Sequence, residues 1–265
     1  MGGSLGMAIK KYRLAGEVIG VSQRQTSLDD AIKNKAIDAG FTEVEKAIPQ
    51  ADLVVLAAPV ETIIKLFSVI NPRLKRGCIL TDLGSVKGKI VEAAQKYLSN
   101  PDFFVGSHPL TGSEKQGVNH ANPDLFVNSP CIMTPTEKTN PMAKQKIKYL
   151  WTKLGAQVKF LSYEEHDQIL AYISHLPHLL AYGLMESIPQ EYISYSAQGL
   201  KDVTRIAASS PQLWNDICLS NSKNILNALD ELVKHLFYFR KAIIDRDAKN
   251  LIYHFTKAKE KRESL

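Results

Sequence analysis

The sequence predicts a doubly wound α/β domain built on a parallel sheet, followed by an all-helical domain. Two observations carry that prediction. Up to Leu161, short apolar runs without polar alternation are separated by amphipathic, helix-length stretches, the pattern of strands covered on both faces. After Ser162 no convincing strand remains, and apolar residues recur at helical spacing, as in Ile225, Leu226, Leu229, Leu232, Val233, Leu236, Phe237 and Phe239. The expected domains are therefore 1–162 and 163–265.

Taken in order, residues 17–22 read as a strand and 28–36 as a helix. Residues 51–58 form a near-continuous apolar strand stopped by Pro59, and 60–70 a helix. Strands at 78–81 and 103–106 flank a helix at 86–98, the second of them running into His108. A strand at 131–134, a helix at 141–154 and a strand at 157–161 complete this half. In the helical half, Leu176-Pro177 should kink the first helix, because proline removes a backbone donor and crowds the preceding turn. No internal repeat, low-complexity segment or long Gly/Ser linker interrupts the chain, so the two halves are expected to pack closely.

A chain of 265 residues with 45% hydrophobic content can bury a substantial core. No apolar run reaches the ~18 residues of a spanning helix, and the start lacks the pattern of a signal peptide. A cytoplasmic location without a membrane partner is expected. Cys78, Cys131 and Cys218 are odd in number, far apart and without CxxC spacing, so they read as reduced core residues, with neither disulfide nor metal expected. The formal charge of +6 comes from lysines scattered along helices, which read as solvated faces. No nucleic-acid partner is expected, although a basic balance attracts small polyanions.

The chain opens Met1-Gly2-Gly3-Ser4-Leu5-Gly6, a glycine turn leading into a helix with no strand before it. A dinucleotide-binding unit places its glycine-rich turn after its first, central strand and uses the helix N-terminus to face the pyrophosphate. The strand and the first two glycines of that fingerprint are missing, and Gly2 best matches the last. The given start is accordingly expected to lie roughly 8–10 residues inside the whole protein, about one strand plus a turn. A chain that has lost cofactor binding is the other reading. At the end of the second strand of such a unit, Ser22-Gln23-Arg24 offers no carboxylate for ribose hydroxyls, and Arg24 suits a phosphorylated ribose, favouring NADP over NAD. An exposed arginine in a turn is the bland alternative.

The stretch from His108 to Gly117 sets a titratable imidazole at a strand end, beside Pro109 and a loop that Gly112 and Gly117 allow to be tight. Alone, such a histidine is more often structural. Four clusters join it: Asp82-Leu83-Gly84-Ser85-Val86-Lys87-Gly88 at a strand-to-helix turn, Ser174-His175-Leu176-Pro177-His178 around the helix break, Lys201-Asp202-Val203-Thr204-Arg205, and Trp214 shortly after.

At these residues the chain resembles the prephenate and arogenate dehydrogenase family of tyrosine biosynthesis. The matching motifs are Gly2-Gly3-Ser4-Leu5, Gly84-Ser85-Val86-Lys87-Gly88, His108-Pro109 with Gly112 and Glu114, Ser174 to His178, and Lys201-Asp202 with Thr204-Arg205 and Trp214. They fall in family order and span nearly the whole chain. The resemblance implies an N-terminal Rossmann-like domain, a C-terminal helical domain that makes a homodimer, and oxidative decarboxylation of prephenate or arogenate with hydride transfer to NAD or NADP. It also implies site residues. His108 is the base that accepts the substrate hydroxyl proton, with Ser85 holding that hydroxyl or the imidazole in register; Ser85 reads equally as a helix N-cap.

Arg205 is expected to clamp a substrate carboxylate, against an ion pair with Asp202 as the structural reading. His178, Glu114, Ser113 and Trp214 complete the substrate set, though Trp214 also reads as a core indole. Gly2, Gly3, Ser4, Leu5, Ser22 and Arg24 form the cofactor set. His175 reads as a packing residue, and His120, His166, His235 and His254 match no motif. Competing functions are a non-catalytic dimeric remnant and a β-hydroxyacid dehydrogenase, the latter disfavoured because its catalytic lysine motif is absent.

Overall fold

The computed structural model describes residues 1–112 and 117–265. The chain divides into two compact units, Met1–Asn221 and Ser222–Leu265. Ser113 and Glu114, expected at the substrate site, lie outside the described residues.

Among the described residues the first unit holds two sheets. Five strands, β3 (Leu53–Leu56), β4 (Ile79–Asp82), β5 (Phe104–Pro109), β6 (Pro130–Thr134) and β7 (Gln157–Phe160), lie in that order. A separate parallel pair joins β1 (Ile19–Val21) to β2 (Ala39–Phe41). Alternate residues of the larger sheet feed opposite faces. Val54, Leu56 and Leu80 pack with α4 (Val60–Ile70) and α5 (Gly88–Tyr97), whereas Ile79, Val105, Cys131 and Met133 pack with α1 (Gly2–Lys11) and α6 (Pro141–Lys153). Covering both faces is what requires the uninterrupted apolar strands seen in the sequence.

The structure departs from the sequence expectations in four places. The sheet is not wholly parallel, because β6 runs antiparallel to β5 with His108 opposite Ile132. No α-helix crosses over between these two strands among the described residues, so the chain can turn back on itself. The unexpected strand β2 is three residues long around Gly40 and is defined by pairing with β1 rather than by any pattern of its own. Helix α2 spans Gln25–Lys33, opening and closing three residues ahead of the expected span. The strands are also split, with β1 and β3 in different sheets.

Beyond β7 the described chain is helical. Helix α7 (Tyr163–Leu170) starts with a capping box in which Ser162 and Glu165 satisfy each other's backbone amides. The kink expected at Leu176-Pro177 takes the form of a π turn, Ala171–His175, that leads into α8 (Leu176–Ser187). Proline has no N–H to give the ladder, and the wider turn accommodates its ring. Helices α9 (Gln198–Thr204) and α10 (Pro211–Ser220) complete the unit. A short helix, α3 (Val44–Ala47), precedes β3.

The second unit is a pair of helices, α11 (Ser222–Ile244) and α12 (Ala248–Glu263), with Asp247 capping α12 through the Asn250 amide at 3.0 Å. It exposes Leu236, Phe237, Ile243, Ile252 and Phe255. No helix among the described residues is long and apolar enough to cross a membrane.

Candidate active site

His108 sits on β5, one residue before the strand ends, and is buried apart from the edge that reaches a cavity of about 470 Å³. Ser85, His178, Arg205 and Trp214 line the same cavity, so five residues drawn from separate stretches of sequence converge on one space. Leu110, Leu170 and Ile206 add apolar wall.

Each polar residue reaches the cavity by its own local route. Ser85 lies in the loop between β4 and α5, but it does not cap that helix. The amides at the start of α5 are satisfied from 80 residues away: Lys87 N donates to Asp167 Oδ1 at 2.7 Å, and Gly88 N to Asp167 Oδ2 at 2.8 Å. Arg205 opens the turn that follows α9. Asp202, its expected ion-pair partner, accepts from Gln198 Nε2 at 2.6 Å.

His178 Nδ1 donates to the Ser174 carbonyl at 2.9 Å, and its ring lies flat on the Trp214 indole. Burial lowers the His178 pKa and the nearby Arg205 charge pushes the same way, only partly opposed by the Ser174 carbonyl. The ring is therefore neutral near pH 7, with Nε2 left as its uncommitted polar atom.

Behind His108 lies a residue the sequence did not single out. His108 Nδ1 is 2.9 Å from His166 Nε2, and His166 Nδ1 is 2.7 Å from Asp167 Oδ1. Both rings are buried, and burial is the largest influence lowering each pKa; for His108 the neighbouring His166, Lys87 and His175 push further down. The only sequence signal for His166 was its place just after the Ser162-to-Glu165 capping box, which fixes where α7 begins but not which way its face points. His175, expected to pack, is buried edge-on to Trp214 and contacts Asn221, whose amide also donates to the Asp167 carbonyl at 2.7 Å.

Beneath the site, Lys87 is fully buried. Its ammonium pairs with Asp82 and donates to the Ser107 carbonyl at 2.9 Å. Asp82 in turn accepts from the Gly84 and Ser107 amides at 2.8 and 3.1 Å. Burial lowers the Lys87 pKa and the Asp82 charge opposes it.

The residues expected at the cofactor gather in two places. At α1, a Cβ on Gly2 would stand 3.0 Å from Ala57 Cβ, and one on Gly3 would stand 2.8 Å from Val118 Cγ2. Glycine at these positions leaves the start of the helix room against its neighbours, and its first-turn amides lack intrahelical partners, as an anionic diphosphate requires. Ser4 Oγ accepts from the Asn122 amide at 3.1 Å, and Leu5 is buried in the apolar cluster behind the sheet. Ser22 and Arg24 lie just past the end of β1, where Arg24 N donates to Ser22 Oγ at 3.3 Å.

Comparison with known proteins agrees with this layout. Residues 5–160 match the prephenate dehydrogenase nucleotide-binding domain, and residues 162–257 match the prephenate dehydrogenase dimerization domain. The prephenate dehydrogenase of Bacillus subtilis is 35% identical over 100% of this chain and 73% of its own length. The cyclohexadienyl dehydrogenase of Zymomonas mobilis is 36% identical over 84% of this chain and 78% of its own. Among solved structures, prephenate dehydrogenase from A. aeolicus, in complex with hydroxyphenyl propionate and NAD+, superposes with a TM-score of 0.92 at 32% identity, covering 99% of this chain and 93% of that one.

Proposed function

The chain belongs to the prephenate dehydrogenase family, and from that premise we propose that it oxidatively decarboxylates prephenate to 4-hydroxyphenylpyruvate, with NADP preferred as hydride acceptor. The observation that carries this reading is the single cavity shared by a buried neutral histidine, His108, and a guanidinium, Arg205. The substrate needs both: a base for the ring hydroxyl and a cationic clamp for a dicarboxylate.

In this reading the ring hydroxyl hands its proton to His108 Nε2, and the carbon–oxygen bond gains carbonyl character. Ser85 holds the hydroxyl in register. Arg205 grips a carboxylate through two parallel hydrogen bonds, and His178, stacked on Trp214, contacts the substrate side chain. The ring carboxylate departs as carbon dioxide, its bonding electrons pass through the ring to the oxygen, the oxygen takes the proton back from His108, and the ring becomes aromatic. Bound NAD(P)+ supplies the acceptor for the hydride from the hydroxyl-bearing carbon.

The first-turn amides of α1, with Gly2 and Gly3, would hold its diphosphate, and Ser22 and Arg24 its ribose end. Arg24 and the lack of a carboxylate between Ser22 and Arg24 support NADP; the prephenate dehydrogenase relative that matches along the whole of this chain and His178 support prephenate over arogenate. The exposed apolar residues of α11 and α12 suit a homodimer contact. A cytoplasmic enzyme with no membrane or nucleic-acid partner completes the reading.

Steady-state assays with prephenate and arogenate, each with NAD+ and NADP+, test it. The expected outcome is the highest kcat/KM for prephenate with NADP+, and a His108→Asn variant that binds substrate normally but turns over roughly 10²–10⁴-fold more slowly. Near-normal turnover in that variant would remove His108 as the base, and a preference for arogenate would overturn the substrate assignment.

A further inference from the structure

We propose that His166 and Asp167 are positioning residues that lock His108 in the tautomer competent for proton abstraction and hold its imidazolium once formed. The proposal rests on the reading of His108 as the base.

A carboxylate oxygen can only accept. Asp167 Oδ1, already taking the Lys87 amide at 2.7 Å, therefore receives the proton on His166 Nδ1 across 2.7 Å. A neutral His166 then presents a lone pair at Nε2, and the His108 nitrogen 2.9 Å away must be the protonated one. That assigns the hydrogen of His108 to Nδ1. Nε2, the atom a base needs, is left without one. The chain of donors is fixed at its far end by backbone, since Asp167 is anchored by the Lys87 and Gly88 amides at the start of α5 and, through its own carbonyl, by Asn221.

The other charged and titratable groups around the pair are Lys87 and Asp82 from the β4 side and His175 from the π turn. Burial, with the Lys87 charge behind it, opposes a positive charge on His108, so the base is held neutral in the resting site. When Nε2 takes the hydroxyl proton, the Nδ1–H of His108 stays in place and its hydrogen bond to His166 strengthens. The Asp167 carboxylate polarises His166 to accept it, and no proton has to leave the pair. A ring free to flip would present N–H to the substrate hydroxyl and could not act, which is why an orienting partner behind a catalytic imidazole is worth several orders of magnitude in rate.

The test has a spectroscopic arm and a kinetic arm. With 15N-labelled imidazoles, the full chain without substrate or cofactor should show His108 protonated at Nδ1 and bare at Nε2 near pH 7. His166→Phe, which keeps a ring but removes the acceptor, should lose that bias. It should also lower kcat roughly 10²–10⁴-fold, with the substrate KM within about twofold of the parent, and alter the acid limb of the kcat profile. His166→Gln can return an amide oxygen near the Nε2 position and should recover at least about tenfold of the loss.

Protonation of His108 at Nε2 in the unmodified chain overturns the proposal, as does an unchanged kcat and pH profile in His166→Phe. If His166→Phe does not fold, the tautomer of the unmodified chain and the Gln variant still decide. Because the tautomer is read without turnover, an inactive chain with the assigned tautomer overturns the proposed function and leaves only the tautomer assignment of the His108–His166–Asp167 chain standing.

Discussion

The imidazole of His178 stacks on the indole of Trp214, with ring centroids 3.6 Å apart and planes 22° from parallel. Since His178 Nδ1 is held by the Ser174 carbonyl, the ring is fixed in both rotation and tilt, and its Nε2 has one direction to offer. Stacking of this kind contributes about 0.5–1.5 kcal/mol beyond simple burial. Trp214→Phe, which keeps an aromatic core residue but narrows the platform, should raise the substrate KM about two- to tenfold with kcat nearly unchanged, read by steady-state kinetics. A fall in kcat with KM unchanged would place Trp214 with the chemistry instead.

Arg205 shares the cavity with His108 and His178. A charge-assisted hydrogen bond to a carboxylate contributes about 1.5–3 kcal/mol, so Arg205→Ala should weaken substrate binding roughly 10- to 100-fold. Cofactor affinity, followed by fluorescence titration, should hardly change. The reverse pattern would put this arginine at the nucleotide.

Arg24 stands just before α2, beyond the end of β1, and is exposed. Its removal should therefore leave stability untouched. Arg24→Ala should raise the KM for NADP+ about tenfold or more and leave that for NAD+ within about twofold, since only the former carries the extra phosphate. Equal effects on both cofactors would refute the assignment.

Lys87 and Asp82 form a fully buried ion pair below the site. Lys87→Met keeps much of the packing volume but strands a buried carboxylate, which costs about 3–5 kcal/mol. A drop in Tm on the order of 10 °C is expected by calorimetry, and Asp82→Asn in the same chain should restore part of it.

Acid should destabilise the fold through its buried histidines. His108, His166 and His175 all have folded pKa values lowered from 6.5 chiefly by burial, His175 to about 4. Between those limits the unfolded chain binds more protons than the folded one. The stability they contribute is complete above about pH 6.5 and is lost progressively as pH falls towards 4, on the order of 3 kcal/mol from His175 alone. Denaturant titrations at pH 7.5 and pH 5 should show the lower midpoint at pH 5; equal midpoints would mean that these rings titrate normally.

The α/β-then-helical plan was legible because it is written in short-range periodicity. Apolar runs such as Leu53–Leu56 and the 60–70 stretch each declare their element within a few residues, and α4 begins and ends where expected. Motifs with local signatures were legible too: His108 at a strand end, Ser85 in a strand-to-helix turn, Arg205 in the polar 201–205 cluster. The structure gathers them at one cavity.

Other features depend on partners far away in the chain. The strand β2 exists through its pairing, the direction of β6 through how the chain after Pro109 turns back, and the cap of α5 through Asp167 rather than Ser85. His166 gave no sign of a role because nothing within its own helix requires one. Sequence by itself determined the class of fold and the cavity's two histidines, its arginine and Ser85, since those follow from local pattern and residue chemistry. Only the tertiary structure set His166 behind His108, 58 positions away, and buried Lys87 beneath them, because such contacts arise when α7 packs against the strand ends, a choice that no local spacing encodes.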